Sequence, residues 1–160
     1  MGCREFAGNG LQSFLPMTPV TETRLRVRYA ETDQMGVVYY ANYLIWMEVG
    51  RAELCQACGF VYSEMEREDG IFLAVAEAQC QYRHPARYDD EVIVKSWIEK
   101  ANTRMITIHY EMRRASDNRR LATGHTRHIY CSSEMRPVSL PEKYCRMFGV
   151  GASAAEGEKE

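Results

Sequence analysis

The fold is decided by residues 40–58, which read YANYLIWMEVGRAELCQAC. Their apolar spacing predicts one helix from Tyr40 to Cys58, and Gly59 follows where helices commonly end in glycine. Because the first half is apolar on nearly every side, the helix should be wrapped by other elements. One face carries Tyr43, Met47, Gly50, Leu54 and Ala57, and the other sides of the first half carry Leu44, Ile45, Trp46 and Val49.

A strand precedes this helix and four more follow it. Residues 23–29 alternate, with Arg24, Arg26 and Arg28 on one side and Leu25, Val27 and Tyr29 on the other. A short second helix or turn is predicted over residues 60–69, ended by Gly70, and a last turn or helix over residues 142–148. The later strand-like segments are residues 71–82, 91–101, 103–115 and 119–132, with a hairpin turn at residues 116–118.

One apolar helix and one mostly antiparallel sheet can bury each other if the strands curl around the helix. The sequence therefore predicts an α+β fold in which a curved antiparallel sheet of about five strands surrounds one long helix. We expect a flexible leader over residues 1–20, a single domain over residues 21–148 and a flexible tail over residues 149–160.

The bulk composition favours a globular protein of the cytoplasm. Of 160 residues, 46% are hydrophobic and 26% are charged, and the formal net charge of −2 does not point to nucleic acid or an anionic membrane. No segment approaches the roughly 18 apolar residues that span a bilayer, and the N-terminus lacks the apolar core of a secretory signal. The six cysteines form no disulfide-like framework, so we interpret Cys55 and Cys58 as packing residues in a reducing compartment.

The chemistry is concentrated in residues 26–43, which read RVRYAETDQMGVVYYANY. Asp33 stands at a break just before the apolar helix, and Gly36 allows a tight approach of the backbone. Backbone N–H groups near Tyr40, at the start of the helix, lack partners within the helix and carry the positive end of its dipole. Thioester hydrolysis needs a base or nucleophile and a donor that polarises the carbonyl group, and this segment offers both. The alternative role for Asp33 is a helix N-cap.

This segment resembles the 4-hydroxybenzoyl-CoA thioesterase family of hotdog proteins, including the acyl-CoA thioesterases associated with the Tol-Pal region of bacteria. Two further segments, residues 85–90 and Arg136–Pro137, are similar to the family, and the likeness extends over about residues 23–143. The matching positions of the first segment are Arg26, Val27, Thr32, Asp33, Gly36, Val37, Val38, Tyr40, Asn42 and Tyr43.

The resemblance implies a sheet wrapped around the helix, assembled into homodimers or homotetramers with the active site at the dimer interface. It implies that Asp33 is the catalytic carboxylate, either as the nucleophile or as the base that activates water. The backbone N–H of Tyr40 should polarise the carbonyl oxygen. Some relatives have His at this position, but this chain has Tyr40, so the backbone role is the one carried over.

Several side chains near the motif are candidates for substrate binding. Tyr39 and Tyr43 either pack in the core or line an acyl pocket, and Asn42 either holds the loop or touches substrate. Glu48 needs a polar partner, which Arg51 could supply. The predicted substrate-binding set is Gly36, Val38, Tyr39, Asn42, Tyr43, Glu48 and Arg87. Coenzyme A carries phosphates, which some arginine side chains should contact. The candidates, each of which could instead be a solvated surface charge, are Arg83, Arg87, Arg104, Arg127 and Arg136.

Other chemistries have little support in the sequence. His125 and His128 are three apart on a strand and face opposite ways, so no metal site is indicated. No Gly-rich phosphate loop and no Gly-x-Ser-x-Gly elbow is present. A hotdog dehydratase or hydratase would need a histidine in the helix region, and none lies between Thr23 and Arg83. A non-catalytic scaffold that binds an acyl carrier or a partner protein stays open. No cofactor is expected, because coenzyme A is part of the substrate.

Overall fold

Five strands pair through antiparallel hydrogen bonding into one sheet. The computed structural model describes residues 18–150, so the predicted leader and tail lie largely outside the described residues. The elements are β1 (Val20–Arg26), a 3-10 turn (Tyr29–Glu31), α1 (Asn42–Ala57), α2 (Tyr62–Asp69), β2 (Phe72–Tyr82), β3 (Glu91–Ala101), β4 (Met105–Arg114), β5 (Arg120–Cys131) and α3 (Glu142–Met147). The predicted α+β fold is confirmed.

The strand order in the sheet is β1-β3-β4-β5-β2, and it follows from two hairpins and two longer connections. β3, β4 and β5 are joined in sequence, and the predicted turn at residues 116–118 is confirmed by Asn118, which has φ +55°. β1 pairs with β3 from Val20↔Trp97 to Arg26↔Glu91, and β2 pairs with β5 from Phe72↔Cys131 to Tyr82↔Ala122. β1 and β2 are therefore the two edges of the sheet.

The inner face of the sheet approaches α1 closely at two glycines. A Cβ added to Gly50 would lie 2.5 Å from the hydroxyl oxygen of Ser96, which is an impossibly short contact. A Cβ added to Gly124 would lie 2.2 Å from the carbonyl oxygen of Gln79 and 2.4 Å from the methyl group of Met47. Glycine at these two positions lets the helix and the sheet pack at short range around a core that includes Leu54.

Within the protomer the sheet covers one side of α1, so the expectation that other elements wrap this apolar helix holds for only part of its surface. Trp46 and Met47 are buried, whereas Leu44, Ile45 and Val49 remain exposed in the protomer. A single curved sheet can cover about half of a helix surface, so apolar residues on the opposite side have no cover within the same chain. Buried α1 positions are Tyr43, Trp46, Met47, Gly50, Leu54 and Cys55, and Ala57 of the predicted buried face is exposed.

The first strand ends earlier than its alternation suggests. β1 stops at Arg26, and Tyr29, expected on the inner side, is 76% exposed in the 3-10 turn. The reason is local hydrogen bonding. The backbone N–H of Val27 donates to the Asp90 carbonyl at 2.9 Å, and Arg28 and Glu31 form a capping box that turns the chain.

The cysteines of the described region are free thiols, at positions 55, 58, 80, 131 and 145. Burial raises the pKa of Cys55 to about 12 and that of Cys58 to about 11, so neither is a thiolate at neutral pH. This agrees with packing rather than redox chemistry for the CxxC. Within residues 18–150, no helix has the length and hydropathy of a membrane span.

Candidate active site

Asp33 lies at the tip of a small hairpin-like loop. The Asp33 N–H donates to the Val37 carbonyl at 2.9 Å, and the Gly36 N–H donates to the Asp33 carbonyl at 2.9 Å. Gly36 has φ +70°, a conformation that glycine adopts without the steric cost that a Cβ would bring. The glycine therefore makes the turn that holds Asp33 in place.

The Asp33 carboxylate is half-buried and only partly engaged. Its Oδ1 accepts the Met35 N–H at 2.8 Å, while Oδ2 has no hydrogen-bond partner among residues 18–150. The alternative of a helix N-cap fails for α1, which begins at Asn42, nine positions later in the chain. One carboxylate oxygen thus fixes the turn, and the other is available to a ligand.

The N-terminus of α1 supplies an unused donor beside this carboxylate. The Asn42 N–H donates to the Tyr39 carbonyl at 3.0 Å, and the Tyr43 N–H donates to the Tyr40 carbonyl at 3.3 Å. The Tyr40 N–H itself meets no acceptor within the described residues. Such an N–H at the positive end of a helix dipole is suited to an anionic or strongly polarised oxygen.

Asp33 and Tyr40 border the same pocket, which has a volume of about 380 Å³. Small-molecule sites typically occupy roughly 300–1,000 Å³, so this pocket can hold an acyl group of modest size. The walls are mainly apolar and aromatic. They are formed by Asp33, Met35, Val37, Val38, Tyr39, Tyr40, Tyr43, Tyr82, Arg83, His84 and Pro85.

A second loop, residues 83–90, is fastened to the first. The Val38 N–H donates to the Ala86 carbonyl at 2.8 Å, and the Ala86 N–H donates to the Tyr43 hydroxyl oxygen at 3.1 Å. Arg114 holds this loop from β4, donating to the Pro85 carbonyl at 2.8 Å and to the Asp90 carboxylate at 3.0 Å. The sequence motif at residues 85–90 therefore adjoins the pocket, and its first residue, Pro85, lines it.

Tyr82, at the end of β2, connects the pocket wall to the helix start. Its hydroxyl donates to the Tyr40 carbonyl at 3.1 Å, and its ring meets Tyr43 edge-on at 5.2 Å between centroids. Burial raises the pKa of Tyr82 to about 12 and also raises the pKa of Tyr43. Both hydroxyls are neutral at physiological pH and act as hydrogen-bonding groups.

The structure brings together most of the residues predicted from the sequence. Asp33, Val38, Tyr39, Tyr40 and Tyr43 line the pocket. Gly36 and Arg87 lie beside it, joined by a contact of 3.4 Å from the Arg87 guanidinium to the Gly36 carbonyl. Asn42 lies underneath, and its amide donates to the Glu31 carbonyl at 2.8 Å, which favours the loop-holding role over substrate contact.

Glu48 is not part of this pocket. Glu48 is exposed on α1, and the pair with Arg51 that its spacing suggested is not formed among the described residues. Arg51 instead turns inward, where its guanidinium contacts His128 Nε2 at 3.1 Å and lies over the Tyr62 ring. Spacing of three residues places Glu48 and Arg51 on neighbouring positions of the helix, but the pair does not form because the Arg51 guanidinium is engaged by His128 and Tyr62.

The candidate phosphate ligands divide into near and distant sets. Arg83 lines the pocket and Arg87 adjoins it. Arg127 pairs with Glu77, and Arg136 pairs with Glu134. The Arg136–Pro137 segment bridges to Cys131, which pairs with Phe72 at the end of β2 opposite Tyr82. In this protomer the third sequence motif is therefore far from the pocket.

The histidines offer no metal site. His125 lies on the outer face of the sheet and His128 on the inner face, as predicted from their spacing. Burial lowers the pKa of His128 to about 4, so this side chain is neutral at physiological pH. Within residues 18–150, no three residues among His, Cys, Asp and Glu are arranged to hold a metal ion.

Sequence reasoning missed two residues that line the pocket, Tyr82 and His84, and one buried residue of the loop behind it, Glu31. His84 borders the pocket, and its Nδ1 lies 2.9 Å from the Arg120 carbonyl, so that nitrogen carries the proton. No local sequence pattern indicated a pocket role for Tyr82, because the residues that it contacts, Tyr40 and Tyr43, lie about 40 positions earlier in the chain. Glu31 did carry a signal, since it forms the fourth position of a box-like pattern that starts at Arg28.

Comparison with known proteins places this geometry in a family. Residues 27–148 match the thioesterase-like superfamily. YneP of Bacillus subtilis is 48% identical over 83 residues, which span 52% of this chain and 59% of YneP, less than two thirds of its length. The acyl-CoA thioesterase YbgC of Haemophilus influenzae is 29% identical over 121 residues, covering 74% of this chain and 87% of YbgC.

The solved structures agree. The DHNA-CoA thioesterase of Staphylococcus aureus is 30% identical, with a TM-score of 0.78 over 82% of this chain and 89% of that one. The chain is therefore a member of the thioesterase-like superfamily and has the hotdog thioesterase fold.

Proposed function

We propose that this protein hydrolyses an acyl-CoA thioester to a free acid and coenzyme A, using Asp33 as the catalytic carboxylate. The observation that carries the proposal is that Asp33 Oδ2 and the Tyr40 N–H both border one pocket, and neither has a hydrogen-bond partner among residues 18–150. The names of two relatives support the reaction class, since one is an acyl-CoA thioesterase and the other a DHNA-CoA thioesterase.

Two routes use the same geometry. In the first, Asp33 attacks the thioester carbonyl, the thiolate leaves, and water then hydrolyses the acyl-aspartyl anhydride. In the second, Asp33 removes a proton from water, and the resulting hydroxide adds to the carbonyl carbon before the thiolate leaves. In both, negative charge grows on the carbonyl oxygen, and the Tyr40 N–H is the donor that stabilises it.

The substrate would lie along the aromatic wall. The acyl group packs against Val38, Tyr39 and Tyr43, and Gly36 and Asn42 shape the loop that holds the thioester. Phosphates of coenzyme A would meet Arg83 and Arg87 at the pocket mouth. Glu48 lies outside the pocket of this protomer and is left out of the proposed site. No further cofactor enters the reaction.

The active assembly in this proposal is a homodimer or homotetramer of a domain comprising residues 21–148. β2 is an edge strand of 11 residues that carries exposed Ala76, Ala78 and Val75, and such an edge is suited to pairing with a second copy. The pocket lies at the Tyr82 end of this strand. We place the protein in the cytoplasm and within the 4-hydroxybenzoyl-CoA thioesterase family of Tol-Pal-associated type.

The test is thiol release from a panel of aromatic, short-chain and long-chain acyl-CoA substrates. Wild type is compared with Asp33→Asn, which keeps the shape of the side chain and removes its charge. We expect turnover to fall by about a hundredfold or more. The substrate profile of the wild type then identifies the acyl class.

Asp117→Asn is a matched control. Asp117 also accepts a backbone N–H two positions ahead, from Arg119 at 3.1 Å, but it lies at the tip of the β4–β5 hairpin. Its variant should turn over as fast as wild type. Equal activity of Asp33→Asn and wild type would reject the assignment of Asp33. Absence of thiol release from every substrate would reject the hydrolase and favour the scaffold that binds an acyl carrier.

A further inference from the structure

Glu31 is a buried carboxylate in the segment between β1 and α1 that carries Asp33, which we call the pocket loop. It is only 5% exposed, although it stands two residues before Asp33 in an otherwise open turn. Its Oε2 accepts the Arg28 N–H at 2.7 Å, and its Oε1 accepts both the Trp46 indole N–H at 3.1 Å and the Arg28 guanidinium at 3.2 Å. A buried carboxylate with three donors is well compensated, so its position is strongly determined.

The backbone of the same residue holds the other side of the loop. The Glu31 carbonyl accepts the Tyr39 N–H at 2.9 Å and the Asn42 side-chain amide at 2.8 Å. Tyr39 immediately precedes the proposed donor at Tyr40, and Asn42 is the first residue of α1. One residue thus touches the base of the Asp33 turn, the helix start and, through Trp46, the second turn of the helix.

The electrostatics agree with this arrangement. Burial alone would raise the pKa of Glu31, but the hydrogen bonds from the Arg28 backbone, the Trp46 indole and the Arg28 side chain outweigh it and lower the pKa. The side chain is therefore an anion at neutral pH. Glu31 does not border the pocket, so it meets no substrate there.

We propose that Glu31 is a positioning residue that sets the relative placement of Asp33 and the Tyr40 N–H. This inference rests on the proposed function, because those two groups are its catalytic pair. Replacing the carboxylate with an amide leaves one oxygen for three donors, and the amide NH₂ then faces an N–H group. The loop must move to relieve that contact, and misplacement by about 1 Å can cost on the order of a hundredfold in rate.

The test compares Glu31→Gln with wild type and with Glu111→Gln. Glu111→Gln is a matched control, because Glu111 is another carboxylate that is largely shielded from solvent. It lies on the outer face of the sheet and accepts a hydrogen bond of 2.6 Å from the Arg113 guanidinium. Three quantities are measured: kcat and KM for the best substrate of the panel, the exchange rate of the Tyr39 amide by NMR, and the melting temperature. Trp46→Phe is a second variant, which removes the indole donor and keeps an aromatic ring.

We expect Glu31→Gln to lower kcat by about tenfold or more with KM changed less than about threefold, and to speed exchange of the Tyr39 amide by about tenfold. Trp46→Phe should do the same to a smaller extent, and Glu111→Gln should change neither quantity. If Glu31→Gln fails to fold, Trp46→Phe decides the matter through the same two readouts.

The outcomes separate this inference from the proposed function. Unchanged kcat and unchanged Tyr39 exchange in a variant of an active enzyme would overturn the positioning role and leave Asp33 in place. Faster exchange in Glu31→Gln, together with a wild type that releases no thiol, would support Glu31 as the residue that holds the loop and reject the hydrolase. A fall in kcat with unaltered exchange would contradict positioning as its cause.

Discussion

The polar groups of the outer face of the sheet are paired with one another, whereas two polar groups of the pocket loop have no partner among the described residues. On the outer face, Glu77 meets His125 at 3.0 Å and Arg127 at 3.1 Å, so each of its two carboxylate oxygens has a protein partner. In the pocket loop, Asp33 Oδ2 and the Tyr40 N–H have no partner among the described residues. Charged groups that satisfy one another hold structure, whereas groups fixed in place and left open are suited to a ligand.

The strongest test of this contrast removes the open donor itself. Tyr40→Pro deletes the backbone N–H, and Tyr40→Ala keeps it while removing the ring. We expect Tyr40→Pro to lower kcat by about a hundredfold or more, as for loss of an oxyanion donor. Tyr40→Ala should lose far less. Equal kcat values for the two variants, each checked for a melting temperature near that of wild type, would show that the N–H does not stabilise the reaction.

The next test weakens the contact that holds the Tyr40 backbone in place but keeps the Tyr40 N–H. Tyr82→Phe deletes the hydroxyl that donates to the Tyr40 carbonyl at 3.1 Å. A hydrogen bond of this kind contributes about 1 kcal/mol, so we expect kcat to fall by about fivefold. Tyr29→Phe is the control, because Tyr29 lies in the 3-10 turn before Asp33 but is exposed and contacts only the Tyr88 ring among aromatic side chains. A steady-state comparison in which both variants match wild type would contradict a role for Tyr82.

An effect of similar size, on the free energy of unfolding rather than on rate, should follow from changing the turn that presents Asp33. Gly36→Ala places a Cβ on a residue with φ +70°, which costs about 1–2 kcal/mol in the left-handed region. Gly36→Asn should recover part of the loss, because asparagine tolerates this conformation better. Chemical denaturation of both variants measures the difference. Equal stability of the alanine and asparagine variants would mean that the turn relaxes to another conformation.

The smallest effect is expected on the outer face. Glu77→Gln should leave turnover unchanged and shift the melting temperature by less than about 2 °C.

The hydrogen bond from His125, followed by the charge of Arg127, lowers the pKa of Glu77 below its ordinary 4.5. Its stabilisation is therefore present above that pH and is lost as the pH falls through the lowered pKa. Melting curves recorded from pH 7 to pH 3 should converge for wild type and variant at the acid end. A tenfold change in the kcat of Glu77→Gln would contradict the distinction between a structural outer face and a catalytic pocket loop.

Much of the fold could be predicted because its patterns are local. Alternation identified the first strand and strand-like segments bounded by turns identified the others, and β3 lies at Glu91–Ala101 as expected. Glycines marked the ends of both early helices, and Gly59 and Gly70 do have positive φ. The exposed side of α1 and the loss of Tyr29 from the inner face were not predictable in this way. Both depend on how far one sheet reaches around a helix, which no short pattern records.

The sequence by itself determined the chemical groups of the site, since Asp33, Gly36 and the start of α1 lie within ten residues of one another. Only the tertiary structure decided what surrounds them. Tyr82 and Pro85 reach the pocket because β2 pairs with β5 and because Ala86 bonds to Val38, contacts between segments far apart in the chain. Short-range order follows from local backbone preference and helix periodicity, whereas the pocket walls follow from strand pairing and close packing, which act across the whole chain.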